Sequence, residues 1–513
     1  MPCCSPNALA RPVHLPLYAL LMAVAAQLQG EFVDYDGDDA PDVFLLPGAE
    51  MVVSSGYTSH GIRNALHINQ RNGTFASPAA QEVGALAQYR PFGVGNLAVH
   101  SGWGGHWADF DNDGDLDVYV TSHQMPYSAL LRNDAGRFKE LSVSESSGLT
   151  GTGVHFCAWG DHDRDGNIDI IVATSTDTRL FVNSNSGASF SSVQLDTAIL
   201  ASVAWGDYNS DGYIDVVGHV DGEPRLRLYT NMLATGGVTS GHALDSSTGM
   251  HSFSRTYLSV DDTVSMYSTY SNGGGGNVAW GDLDGDGDLD LVFVSAGGTG
   301  AQATRVLFDN QDSTLTRHTS LAFPAGVAGV DAAGFNWVDM SDFDRDGDLD
   351  LTFFSDLGAA LWENVGTTAF SFLQILSGHL VEDSYRLARG SWADMDGDGD
   401  LDLLTVDKAD TSESHLYENR AFVTDAEGYK YDLSASAALG SKTSAGTDEA
   451  YPGPATTAWG DWDSDGDPDL VLADGVDGAI FYENRSHTPG RLQPTISPCP
   501  CPSSSDSLLS ALH

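Results

Sequence analysis

Residues 109–117 read DFDNDGDLD, and residues 118–121 continue VYVT. Carboxylates stand at loop positions 1, 3, 5 and 9, a glycine at position 6, and a β-branched run follows at once. The pattern D-x-[DN]-x-D-G-x-x-D recurs eight times. The copies are DYDGDDAPD from Asp34, DFDNDGDLD from Asp109, DHDRDGNID from Asp161 and DYNSDGYID from Asp207. The others are DLDGDGDLD from Asp282, DFDRDGDLD from Asp342, DMDGDGDLD from Asp394 and DWDSDGDPD from Asp461. Their starts lie 46 to 75 residues apart. A period of this size marks propellers, solenoids or arrays.

Working outward, a short strand such as A-W-G or W-A precedes each loop, and an apolar run such as DIIV or DLVFV follows it. A further strand ends in Asn in every unit, at Asn69, Asn133, Asn183, Asn231, Asn310, Asn364, Asn419 and Asn484. A less regular extended segment completes three to four strands per unit. No long stretch carries a 3.6-residue period outside the N-terminal leader. A sheet of three or four strands cannot bury both faces alone, and radial stacking of such sheets does so. The expected fold is therefore all-β, a β-propeller. Eight loops and eight Asn-ended strands favour eight blades, with seven and a shared unit the alternative. Only Glu31–Val33 precede the first loop as an inner strand, so ring closure is expected to pair the two ends of the chain.

Carboxylates at positions 1, 3 and 5 converge if the chain turns at the position-6 glycine, which takes the positive φ such a turn needs. Position 7 offers a backbone carbonyl. The Asp at position 9 opens the next strand and can bind two-pronged. Six to seven hard oxygen ligands suit calcium, whereas magnesium keeps its waters and demands octahedral geometry. Without a cation, four clustered carboxylates oppose one another's ionisation. An EF-hand is excluded, because its loop is longer, ends in Glu and lies between helices. The candidate ligands are Asp34, Asp36, Asp38 and Asp42; Asp109, Asp111, Asp113 and Asp117; Asp161, Asp163, Asp165 and Asp169; and Asp207, Asn209, Asp211 and Asp215. The remaining loops supply Asp282, Asp284, Asp286 and Asp290; Asp342, Asp344, Asp346 and Asp350; Asp394, Asp396, Asp398 and Asp402; and Asp461, Asp463, Asp465 and Asp469. Up to eight structural Ca2+ ions are expected. Asp39 replaces the turn glycine in the first loop and Asn209 a carboxylate in the fourth, so weaker affinity is expected at both.

The units resemble FG-GAP/VCBS repeats, as in the α-subunit propeller of integrins and many secreted proteins. The resemblance covers about residues 31 to 485 and rests on the calcium-type loops and the downstream [LF]-x-x-N strands. It implies structural calcium on one rim, with ligands bound on the other face or between partner subunits. The full integrin signature is not present, and the family does not name the ligand.

The chain carries 71 Asp+Glu against 23 Lys+Arg, a net charge of −48. Such a surface repels nucleic acid and anionic membranes. The acid is gathered into the loops, unlike a disordered acidic tail. Of five cysteines, Cys3 and Cys4 lie in the leader and Cys499 and Cys501 in the tail. Cys157 alone lies among the repeats and reads as a small buried hydrophobe. Arg11 and His14 precede the apolar stretch from Leu15 to Ala26, and Ala23-Val24-Ala25 offers a small-x-small cleavage pattern. Residues 1–26 thus read as a signal peptide, 31–487 as the propeller and 488–513 as a low-complexity tail. The apolar stretch is too short to span a bilayer, no membrane span is expected elsewhere, and an extracellular or cell-surface location follows.

An aromatic stands two residues before most loops: Phe32, Trp107, Trp159, Trp205, Trp280, Trp392 and Trp459. In the sixth unit Trp337 is displaced and Met340 takes that place. Such a repeated position reads as a wedge between blades rather than a ring of sugar-stacking rings. Sequons occur at Asn72 and Asn484, the latter doubling as a repeat asparagine. Long connections run from about Asn231 to Gly276, Phe422 to Pro454 and Pro78 to Gly105, and recognition on repeat scaffolds tends to sit in such insertions. H-E-x-x-H, G-x-S-x-G, P-loop and dinucleotide motifs are all missing. The expected function is an extracellular binding or adhesion module for a protein or glycan. The alternative is a secreted polysaccharide hydrolase or lyase on the same scaffold.

Overall fold

The computed structural model describes residues 29–38, 40–46, 65–71, 75–76, 104–121, 128–150, 153–184, 189–220, 223–235, 253–260, 277–295, 304–318, 321, 335–355, 358–366, 369–377, 389–395, 397–406, 415–419, 434–438, 456–474, 478–482 and 484. The leader at 1–26, the tail at 488–513 and most of the long connections lie outside the described residues. So do Asp39, Asn72 and Asp396.

Among the described residues there are eight antiparallel sheets, seven of four strands and one of three, each in simple up-and-down order. The third is representative, with strands Val154–Gly160, Asp169–Thr174, Thr178–Ser184 and Ser189–Asp196. Every second strand begins on the position-9 Asp of its loop, from Asp42–Leu46 to Asp469–Asp474. Its β-branched run is buried on both faces, as in Asp169–Thr174 and Asp290–Ser295, because a neighbouring sheet covers each side. The outermost strands are more exposed, Arg137–Glu140 reading exposed-buried-exposed-intermediate and Phe253–Ser259 buried only at Phe253. Burial therefore falls from the inner strands toward the rim, as the sequence pattern requires.

First strands of successive sheets contact one another, which puts them at the centre, and the first sheet's Gln29–Val33 contacts the eighth sheet's Thr456–Gly460. Apolar cores lie between adjacent sheets. Ile171, Val182 and Phe156 of the third sheet, for example, pack with Trp205, Val216 and Tyr229 of the fourth. The molecule is an all-β propeller. Among the described residues the only helix is the 3-10 turn Leu233–Thr235, and none there is long and apolar enough to cross a membrane.

The aromatic before each loop is the wedge expected from the sequence. Trp159 and Trp205 donate through Nε1 to the carbonyls of His106 and Ala158 on the preceding sheet, both at 3.2 Å. Trp459 reaches Ser391 Oγ at 2.9 Å. Phe32 stacks on Trp462, so the same wedge spans the junction of first and eighth sheets. The small residue after each Trp has a reason too. A Cβ on Gly206 would lie 2.8 Å from Trp280 Cδ1, and one on Gly281 would meet Met340 Sδ. Met340 thus occupies the wedge position, while Trp337 packs beside the core shared by the sixth and seventh sheets. Cys157 is buried and free, its thiol pushed up by burial.

One long connection is not what its sequence suggested. The segment from Asn231 to Gly276 contains the outer strand of the fourth sheet, Phe253–Ser259, paired along Arg225–Asn231 from Asn231↔Phe253 to Arg225↔Ser259. The strand shows no period-2 alternation, being buried only at Phe253, and it is flanked by Ser- and Gly-rich sequence, which hid it.

The wedge geometry makes a direct prediction. Gly206→Ala forces a methyl into Trp280 and is expected to destabilise the fold by about 1–3 kcal/mol. A lowered melting temperature checks this, and an unchanged one counts against the wedge.

Candidate functional site

Each loop joins a first strand to a second strand, so all the acidic loops share one rim. Loop positions 4 and 6 take the left-handed conformation, position 6 in the seven loops where it is described. From the sequence only the position-6 glycine needed it, and seven such glycines have φ of 85–103°. Position 4 does so as well, in all eight loops, at 54–72°. There the residues are Gly37, Asn112, Arg164, Ser210, Gly285, Arg345, Gly397 and Ser464. A non-glycine in this region costs about 1–2 kcal/mol. Side-chain hydrogen bonds hold it. Asp109 Oδ1 accepts from Asp113 N–H at 3.1 Å and its Oδ2 from Gly114 N–H at 3.0 Å. The position-5 carboxylate then accepts from the position-7 N–H, as Asp286 does from Asp288 at 3.0 Å. These bonds curl the carboxylates inward.

The structure brings carboxylate oxygens of positions 1, 3 and 9 within 4.8 Å of one another in Asp34–Asp36–Asp42, Asp109–Asp111–Asp117 and Asp282–Asp284–Asp290. In the third loop Asp161, Asp163 and Asp165 gather in the same way. Burial raises Asp36, and raises Asp111 to about 6, with the neighbouring carboxylates adding to the effect. Oδ1 atoms of Asp36, Asp111, Asp161, Asp282 and Asp342 are buried without a hydrogen-bond partner. Orphaned carboxylate oxygens facing a shared point are costly unless a cation meets them. The hard oxygen donors fit calcium, with positions 1, 3, 5 and 9 the residues that would hold it.

The position-9 Asp has a second task that the sequence did not reveal. All eight are buried. Oδ2 accepts the position-2 backbone N–H at 2.8–3.4 Å. Oδ1 accepts the backbone N–H of the repeat asparagine at 2.6–2.8 Å. That asparagine's Nδ2 donates to the position-8 carbonyl of its own loop at 2.9–3.2 Å. It also donates to the position-2 carbonyl of the preceding sheet at 2.5–2.8 Å. Asn69 makes this last bond to Trp462, from the first sheet to the eighth. Asn484, though part of a sequon, is buried and committed to Met395 and Pro468. Burial raises Asp42, Asp215, Asp290 and Asp469 to about 7 and Asp117 and Asp350 to about 8.

His162 is the site residue that sequence reasoning missed. It fills position 2, elsewhere Tyr, Phe, Leu, Met or Trp, and its Nδ1 meets Asp169 Oδ2 while the ring stacks near Phe253. A lone titratable residue at an apolar repeat position was the available signal. Position 4 also ties loop to loop. Asn112 Nδ2 donates to Gly166 O at 3.2 Å, and Arg164 lies over Tyr213 with 5.6 Å to the ring centroid.

The two roles of the loop carboxylates separate by mutation. Asp290→Asn leaves one acceptor for two backbone donors, and is expected to cost about 1–3 kcal/mol even in excess chelator. Asp286→Asn keeps the acceptor for Asp288 N–H, so its chelator-treated form is expected to melt like the wild type. Equal melting of the two variants in chelator overturns the anchoring role of position 9.

A family model described as an FG-GAP-like repeat matches residues 34–120, 109–172, 161–218 and 342–405. No curated protein sequence matches the chain. Among solved structures, similarity extends to one on recognition of non-reducing terminal N-acetylglucosamine by an Agrocybe aegerita lectin. The identity is 16% and the TM-score 0.41, covering 70% of this chain and 81% of that one. A chain from the structure of BBS1N in complex with ARL6DN is 10% identical with a TM-score of 0.37, over 76% of this chain and 91% of that one. With the matched repeats spread along its length and one loop–strand–asparagine circuit in every unit, the chain belongs to the FG-GAP repeat family.

Proposed function

We propose that this propeller binds calcium in its rim loops as a structural ion and acts outside the cell or at its surface as an adhesion or ligand-binding module. The observation that supports the calcium reading is the set of buried, partnerless carboxylate oxygens at positions 1 and 3. The ions neutralise clustered charge and fix the loops that carry the inter-sheet bonds. The leader-like residues 1–26 support secretion. The partner is an extracellular protein or a glycan. A glycan array run beside a polysaccharide cleavage screen tests the binding role: saturable binding without turnover supports it, and turnover of a polymer overturns it.

Metal bound only by the folded state adds about 2.7 kcal/mol per site at a hundredfold excess over Kd. Chelator is therefore expected to lower the melting temperature, and an unchanged melt overturns the calcium reading. The effect should depend on pH. In six loops burial raises the position-9 carboxylate in the folded state, to about 7 or 8. In metal-free protein the stability they contribute is fully present below the ordinary carboxylate value and lost as pH rises through about 7–8. The melting temperature in chelator is thus expected to be lower near pH 8 than near pH 5, and calcium to narrow the gap. In the fourth loop, Asn209 Oδ1 already accepts from Asp211 N–H at 3.0 Å, so Asn209→Asp adds charge without changing the turn. Calorimetric titration is expected to show tighter calcium binding there, and equal or weaker binding counts against it.

A further inference from the structure

Arginine and lysine number only 23 against 71 acids, yet three arginines gather on the outer half of the fourth sheet. Arg225 and Arg227 lie on the strand Arg225–Asn231, and Arg255 on the outer strand Phe253–Ser259. The register pairs Arg227↔Tyr257 and Tyr229↔Arg255, which puts these side chains on one face. The guanidinium carbons of Arg225, Arg255 and Arg227 lie 4.5, 5.5 and 6.0 Å from the Tyr257 ring centroid. Tyr257 is 42% exposed, the one aromatic among the exposed large hydrophobics of the described residues.

The cluster is held from below. Asp196, buried at the end of the third sheet's outer strand, pairs with Arg227 and Arg255 at 2.6 Å each and accepts from Tyr229 Oη. Glu223 pairs with Arg227 at 2.6 Å. Arg225 is exposed and makes no ion pair among the described residues. Among the described residues three guanidiniums thus face two carboxylates, and both carboxylates are spent on Arg227 and Arg255. Stapling an outer strand needs one arginine–ring contact. Three mutually repelling cations around one solvent-facing ring leave positive charge for an anion, in a chain whose surface is otherwise acidic.

We propose that this edge of the fourth sheet binds an acidic saccharide. The face of a pyranose stacks on Tyr257, and the Arg225 fork, with the exposed part of Arg255, holds its carboxylate or sulfate. Planar two-pronged recognition suits both anions, and the flat ring suits a sugar better than an extended peptide. The inference rests on the ligand-binding reading above and names its site and ligand class.

The test is calorimetric titration of the full calcium-loaded chain at fixed free calcium. The probes are a hexasaccharide of alternating glucuronate and N-acetylglucosamine, its carboxyl-reduced form, a sulfated glucan oligosaccharide and an acidic peptide. At least one acidic saccharide is expected to bind, the carboxyl-reduced form and the peptide not to bind. Arg225→Ala and Tyr257→Ala, both exposed and so compatible with an unchanged melting temperature, are each expected to weaken binding about tenfold, and Tyr257→Phe to retain it. The glucuronate and sulfate arms tell the two anion sources apart. Binding unaffected by Arg225→Ala and Tyr257→Ala, or binding of the peptide alone, overturns this site and leaves the binding-module reading intact. A wild-type chain that binds no glycan or protein and cleaves a polymer overturns both.

Discussion

The fold depends on one buried carboxylate repeated eight times. The position-9 Asp is the start of a strand, the acceptor for its own loop and the acceptor for the Asn-ended strand beside it. The asparagine it orients then reaches across to the position-2 carbonyl of the preceding sheet. A single side-chain pair therefore fixes loop shape, strand register and sheet-to-sheet spacing together. It also closes the ring, because Asn69 to Trp462 is the same bond as Asn133 to Tyr35. Backbone groups buried between sheets would otherwise lack partners, and leaving them unpaired is costly.

That arrangement explains why the acid is concentrated where it is. Burying a carboxylate is unfavourable, and here backbone N–H groups meet two of its lone pairs without neutralising its charge. The loop carboxylates of positions 1, 3 and 5 lie just above, bent inward by their own turns. Anchor and metal-type cluster thus share the same few residues, and charge in the loop bears directly on the joint between sheets. The position-4 links, Asn112 to Gly166 and Arg164 over Tyr213, extend that dependence from one loop to the next.

From the centre outward, chemistry becomes less constrained. The inner strands carry Trp wedges against glycines, and the second strands are apolar on both faces. The outermost strands are more exposed and tolerate charge. The fourth sheet uses that freedom to place Arg225, Arg227 and Arg255 around Tyr257.

The repeat motif by itself determined the class of fold, the strand that follows each loop, the wedge role of the aromatics and the substitution of Met340 for Trp. These are local or periodic properties, and eight copies make them readable from any one. What only the tertiary structure decided is where side chains meet across the sheets. Position 9 read as a metal ligand alone, because its partner Asn lies 14 to 27 residues away and nothing in the spacing says which N–H groups it accepts. The position-4 left-handed turn was hidden because Arg, Asn or Ser occupies it in five of the eight loops, and glycine only at Gly37, Gly285 and Gly397. The strand Phe253–Ser259 passed for a loop because its outer face is polar and its pairing partner is chosen by register. The cluster around Tyr257 joins residues from two sheets, and only the ring that stacks those sheets places Asp196 beneath its arginines.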